Sequence, residues 1–207
     1  MIRTFIAIEL DAPLRGALAE FQTRLRSRVM KELNPDARLQ WVRLESIHLT
    51  LKFLGDIEES QVSEVHAALA LAVASRARFA LAVGGVGVFP DLRQPRVLWV
   101  GLGEGEGERA GKEPLIQLAG SIDEVLEVIG FPRERRPFSP HLTLARIKEG
   151  ARGIGRALTA SGVMTEPAQL GRLPVQAVSL MKSELRPSGA VYTRLGDAPL
   201  RGSGEGE

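Results

Sequence analysis

The chain has 207 residues, 44% of them hydrophobic and 25% charged, a length and balance that suit one core-forming domain or two small lobes. Its 27 basic and 25 acidic residues leave a formal net charge of +2, so no global field draws it to nucleic acid and any polyanion site must be local. The absence of cysteine excludes disulfides and thiolate chemistry. With no signal-like stretch and no apolar run of membrane length, the expected setting is the cytoplasm, away from membranes.

In chain order, residues 4–10 read as a first strand. Asp11 and Pro13 then supply an N-cap and a first-turn proline for a helix to about residue 29, with Leu14, Leu18, Phe21 and Leu25 as its apolar stripe. After a polar link over 31–38, residues 40–44 and 46–53 are expected to be extended, and Gly55 closes that segment. Dense alanine, leucine and valine over 58–75 predict a second helix, which carries His66 as an ordinary surface residue. Valine and glycine over 79–88 and 96–102 predict two strands around a turn at Phe89, Pro90 and Asp91.

Residues 101–112 are rich in glycine and charge and read as a flexible surface loop; they lack the Gly-Lys-Ser/Thr ending of a P-loop. A third helix is expected over 114–129, a basic turn over 133–136, a short helix over 153–161, and a last strand pair over 175–185 and 190–195. Residues 1–200 are expected to form a single domain of two similar lobes, and residues 201–207 a disordered tail.

The tetrapeptide His-Leu-Thr-Leu occurs at 48–51 and again at 141–144, and uses two of the three histidines. With threonine at roughly 3% of positions, two of three histidines gain a threonine two places on by chance in roughly 0.3% of such chains. In a strand, side chains alternate, so His48 and Thr50 share one face while Leu49 and Leu51 enter the core; the second copy does the same with His141 and Thr143. Two such strands make one site with two imidazoles and two hydroxyls.

Three chemistries compete for such a site. A hydrolytic metal centre normally needs a third protein ligand, and neither motif supplies one. Nucleophilic catalysis lacks a strand-to-helix elbow and an acid to orient the imidazole. General acid–base catalysis fits, because two imidazoles with ordinary pKa near ~6.5 can hold one proton between them at neutral pH. The reaction that uses acid and base together is in-line displacement at phosphorus, with the threonine hydroxyls facing the non-bridging oxygens and no metal or cofactor required.

Two His-x-Thr-x motifs, in the surroundings Ser-Ile-His-Leu-Thr-Leu-Lys-Phe-Leu-Gly over 46–55 and Phe-Ser-Pro-His-Leu-Thr-Leu-Ala-Arg over 138–146, resemble the 2H phosphoesterase superfamily. The likeness is to its RNA 2′,3′-cyclic phosphodiesterase branch, also called the bacterial and archaeal 2′-5′ RNA ligase family. It extends through Arg3-Thr4-Phe5-Ile6-Ala7, Phe89-Pro90, Arg96-Val97-Leu98-Trp99, Ser183-Glu184-Leu185 and Gly189-Ala190-Val191-Tyr192.

The resemblance implies an α+β, bilobal fold with pseudo-twofold symmetry, two antiparallel sheets facing a central cleft and helices outside. It implies a substrate that is RNA or a nucleotide ending in a 2′,3′-cyclic phosphate; the chain itself is expected to be a monomer. His48 is then the proton donor to the leaving 3′ oxygen and His141 the acceptor from water, which leaves a 2′-phosphate. Reversal of those transfers gives 2′-5′ ligation.

Other residues carry two readings each. A regular strand turns Arg146 away from the motif face; the family pattern favours a phosphate contact, which a bulge or strand end would permit. Arg43 and Lys52 are candidates for RNA backbone contacts or simply solvated charges. Phe53, Trp99, Phe138 and Tyr192 are candidates for stacking on a terminal base or for core packing.

Overall fold

Ile2–Glu9 forms strand β1, in which Thr4, Phe5, Ile6, Ala7 and Ile8 are all buried, the pattern of a strand covered on both faces. The computed structural model describes residues 1–103, 111–166, 169–186 and 189–202. Its remaining strands are β2 (Arg38–Trp41), β3 (His48–Ile57), β4 (Phe79–Phe89), β5 (Val97–Leu102), β6 (His141–Glu149), β7 (Gln169–Val175), β8 (Ala177–Arg186) and β9 (Gly189–Pro199). Helices α1 (Ala12–Glu32), α2 (Val62–Val73), α3 (Glu113–Val128) and α4 (Ala151–Ala160) complete the α+β fold. No described helix is long and apolar enough to cross a membrane.

The strands form one antiparallel sheet in the order β7-β4-β5-β6-β3-β1-β8-β9, with β2 added to the free side of β6. Outward from its middle, the sheet reads β3, β1, β8, β9 one way and β6, β5, β4, β7 the other. Each half begins, at the β3–β6 join, with a His-Leu-Thr-Leu strand. The two expected sheets are thus halves of a single one, joined by the one residue pair Leu49 and Leu142.

The helices interlock these halves. Helix α1 leads from β1 to β2 and packs on β7 and α4, while α3 links β5 to β6 yet packs on α2 and β3. Asp11 caps α1 as its sequence predicts, accepting from Leu14 N at 3.1 Å, and the apolar stripe Leu14, Leu18, Phe21, Leu25 and Val29 is buried.

Several boundaries differ from the sequence expectation. Residues 44–46 form a 3-10 turn, not an extended run, because Ser46 N and Ile47 N bond back to the carbonyls of Arg43 and Leu44. The second helix begins only at Val62, after a 3-10 turn over 59–61 closed by Glu58 and Gln61. Strand β7 was not expected, since Gly171 and Pro174 break its pattern; Pro174 is tolerated because β7 is an outermost strand.

His66 is more than a surface residue. Its ring lies against Gly196 and its Nε2 donates to the Asp197 carbonyl at 2.9 Å, which fastens α2 to β9. Arg201, placed by its sequence in the tail, instead exchanges backbone hydrogen bonds with Arg76 and Arg78. Residues 104–110 of the expected loop and 203–207 of the expected tail lie outside the described residues.

Candidate active site

Strands β3 and β6 bring both motifs to one cleft of about 610 Å³, lined by His48, Thr50, His141 and Thr143. The alternation behind this is visible in burial: Leu49, Leu51, Leu142 and Leu144 are buried while the histidines and threonines between them are half-buried. The Leu49–Leu142 pairing is antiparallel, so stepping one residue along each strand sets His48 across from Thr143 and Thr50 across from His141.

Each motif strand then breaks its alternation at the same place. Against β1, the partners run Ile6 with Lys52 and Ala7 with Thr50, which leaves Leu51 as an extra residue. Against β5 they run Leu98 with Ala145 and Trp99 with Thr143, which leaves Leu144 extra. These β-bulges put two successive residues into the core, Leu51 with Lys52 and Leu144 with Ala145. The side chain five places after each histidine is thereby returned to the cleft face: Phe53 on one strand and Arg146 on the other.

The backbone at the second bulge is held from α1. Gln22 Nε2 donates to the Leu144 carbonyl at 3.0 Å and to the Val42 carbonyl at 2.9 Å. At the first bulge the equivalent anchor is Lys52. Its ammonium is buried and bonds Asp123 of α3 and the Pro132 carbonyl, so it is a structural cation and not an RNA contact.

Both imidazoles are oriented alike. His48 Nδ1 donates to the Ser46 carbonyl at 3.0 Å, and His141 Nδ1 to the Ser139 carbonyl at 2.8 Å. With Nδ1 occupied by a backbone acceptor, the neutral ring carries its lone pair on Nε2. The 3-10 turn over 44–46 is what aims the Ser46 carbonyl at the ring.

The surroundings of the rings differ. His48 stacks on Phe5 (4.7 Å, 29°) and meets the edge of Tyr192 (5.0 Å), whereas His141 meets the edge of Phe89 (4.9 Å). Burial pushes His48 down to about 4; the Ser46 hydrogen bond raises it in part, and the Arg146 charge lowers it further. At neutral pH His48 is therefore uncharged.

Charge in the cleft is one-sided. Arg3, Arg43, Arg146, Lys148 and Arg186 line it, and no carboxylate does among the described residues. A chain of net charge +2 thus concentrates positive charge locally in this cleft. Among the described residues no group of three or more His, Asp or Glu is gathered as a metal site would be.

Of the stacking candidates, Phe53 and Tyr192 line the cleft, with Phe53 63% exposed. Phe138 packs against the main core and does not line it. Trp99 lies across Gly87, where a Cβ would overlap its ring, and backs the Phe89–His141 pair.

Sequence reasoning passed over Arg3, Lys148, Arg186, Gln22 and the serines before each histidine. Ser46 and Ser139 had a signal, since both stand two residues before a motif histidine. The others had none, because their positions depend on bulges and on strands distant in sequence.

Two blocks of the chain, residues 8–99 and 107–192, match the family model described as LigT like Phosphoesterase. The chain belongs to the LigT-like phosphoesterase family. An RNA 2′,3′-cyclic phosphodiesterase of Methanothermobacter thermautotrophicus is 32% identical to this LigT-like protein over 192 residues, 93% of this chain and 95% of that one. One of the same name from Thermus thermophilus is 34% identical over 205 residues, 97% of this chain and 91% of the other. The crystal structure of E. coli LigT complexed with 3′-AMP superposes with a TM-score of 0.69 at 27% identity, covering 96% of this chain and 98% of that one. The His-x-Thr-x resemblance and this family assignment agree.

Proposed function

We infer that this LigT-like protein hydrolyses 2′,3′-cyclic phosphate ends of RNA, or of nucleotides, to 2′-phosphate ends by acid–base catalysis with two histidines. The observation that carries the reading is the pair of imidazoles, each fixed through Nδ1 to a backbone carbonyl, in one basic cleft that no carboxylate lines among the described residues. The activity named for its relatives supports the same reaction.

In this mechanism His141 Nε2 takes a proton from water, whose oxygen attacks phosphorus. The P–O3′ bond breaks, and His48 gives its proton to O3′. A 2′-phosphate remains, with His141 charged and His48 neutral until solvent resets them. Thr50, Thr143 and Arg146 donate to the non-bridging oxygens, where negative charge develops. Phe53 and Tyr192 offer the terminal base an apolar platform.

As donor, His48 must be protonated, although burial and Arg146 hold its pKa down. A bound phosphate diester screens Arg146 and puts a negative charge beside the ring, and both changes raise the imidazole pKa. Substrate thus charges its own acid. The test is an oligonucleotide ending in a 2′,3′-cyclic phosphate, incubated with EDTA. A 2′-phosphate product is expected; a 3′-phosphate product, loss of turnover on chelation, or full activity in His48→Ala or His141→Ala would reject the mechanism.

A further inference from the structure

The charge on the cleft exceeds what the reacting group can balance. A cyclic phosphate is a diester with one negative charge, and Arg146, whose field reaches His48, is enough to match it. Arg3 and Lys148 line the same cleft beyond it, whereas Arg186 there is paired with Glu184 at 3.2 Å. Surplus cations beside a phosphate site are what a polynucleotide backbone neutralises.

Lys148 is the best placed of these for a neighbouring phosphate. It follows Arg146 by two residues on β6, roughly 7 Å further along the strand. Arg146 and Lys148 both line the cleft while Ile147 between them packs on the core, and Lys148 is the extra residue where β6 pairs with β2. The adjacent Glu149 does not neutralise Lys148, because its carboxylate pairs with Arg38 at 3.0 Å. Phe53 and Leu185, 63% and 76% exposed, add apolar surface to the same cleft.

We propose that Lys148 is a specificity residue: it holds the phosphodiester that precedes the reacting nucleotide, so that the protein prefers the end of an RNA strand to a free nucleoside 2′,3′-cyclic phosphate. The proposal rests on the cyclic-phosphodiesterase reading, and its test separates the two. Adenosine 2′,3′-cyclic phosphate and the dinucleotide ApA ending in the same group are compared in wild type, Lys148→Ala and Lys148→Arg. Wild type is expected to favour the dinucleotide in kcat/KM by about tenfold or more, one well-placed charge contact being worth about that factor. Lys148→Ala brings the ratio towards one through KM, and Lys148→Arg restores most of it.

Binding of the dinucleotide with an unreactive 3′-phosphate end gives a readout that needs no turnover. Its log Kd against log salt should be shallower by about 0.7 in Lys148→Ala, one lost single-strand phosphate contact. An unchanged kcat/KM ratio and an unchanged salt slope would overturn the strand subsite while leaving the hydrolase reading intact. Lys148-dependent binding with no hydrolysis of either substrate would sink the hydrolase reading and keep the subsite.

Discussion

Leu49 of β3 and Leu142 of β6 form the single pairing through which the two halves of the sheet meet, and both are fully buried between the histidine and threonine of their motifs. The pair sits at the join of the halves, so the residues that flank it on the cleft face come from both copies of the motif. Packing and chemistry alternate residue by residue along the same strand.

Leu142→Ala should therefore cost stability more than chemistry. Truncation of a buried leucine removes about 2–5 kcal/mol, to be read as a lower urea midpoint. Below the transition, kcat should stay within about tenfold of wild type, the loss of one well-oriented group being larger than this. A near-native midpoint with lost turnover would contradict this division of labour.

The threonines give the opposite result. Thr50→Val and Thr143→Val keep the shape and remove one donor each, and loss of one such donor typically costs about 10² to 10³ in kcat. Both threonines are half-buried, so the melting temperature should change little. Full turnover in both variants would remove them from the phosphate site.

His48 predicts a definite pH window. Its folded pKa, about 4, lies below the ordinary 6.5, so between these values the unfolded chain binds the proton that the folded chain refuses. The stability contribution is complete above about pH 6.5 and is lost as pH falls towards 4. Imidazole NMR should give a midpoint near 4 for His48, moving up when phosphate is added. In His48→Gln the melting temperature should fall less over the same window; equal slopes in both proteins would refute the assignment.

Gln22 is expected to act on the site from α1. Gln22→Leu deprives the bulge carbonyl of Leu144, and that of Val42, of a donor, at a cost of about 1–3 kcal/mol. The bulge sets the direction of Arg146, so kcat/KM should fall further in Gln22→Leu than in Gln22→Glu with a protonated, still donating carboxyl at low pH. Activity equal to wild type in Gln22→Leu would show that the bulge holds itself.

Gly87→Ala tests the support behind His141. A methyl at Gly87 overlaps the Trp99 ring, which packs on Phe89 and stands behind His141. Overpacking of this kind costs about 1–3 kcal/mol. Displacement of the ring should show as altered tryptophan fluorescence together with reduced kcat; a normal spectrum and kcat would mean that the strand relaxes around the methyl group.

The sequence by itself determined the chemistry of the centre. Two His-x-Thr strands in a chain without cysteine, with alternation that sends histidine and threonine one way and leucine the other, specify an acid–base site because those facts are local and have a period of two. The capped helix over Ala12–Glu32 was legible for the same reason. Tertiary structure alone decided what depends on pairing between distant segments. Its bulges at Leu51 and Leu144 turned Phe53 and Arg146 into the cleft and sent Lys52 to a buried ion pair with Asp123, while the loop before β6 packs Phe138 against the core. A bulge is a mismatch between two strands, so neither strand's sequence contains it. The lowered His48 pKa has the same origin, since Phe5, Tyr192 and Arg146 reach that imidazole only when β1, β9 and β6 are assembled around β3.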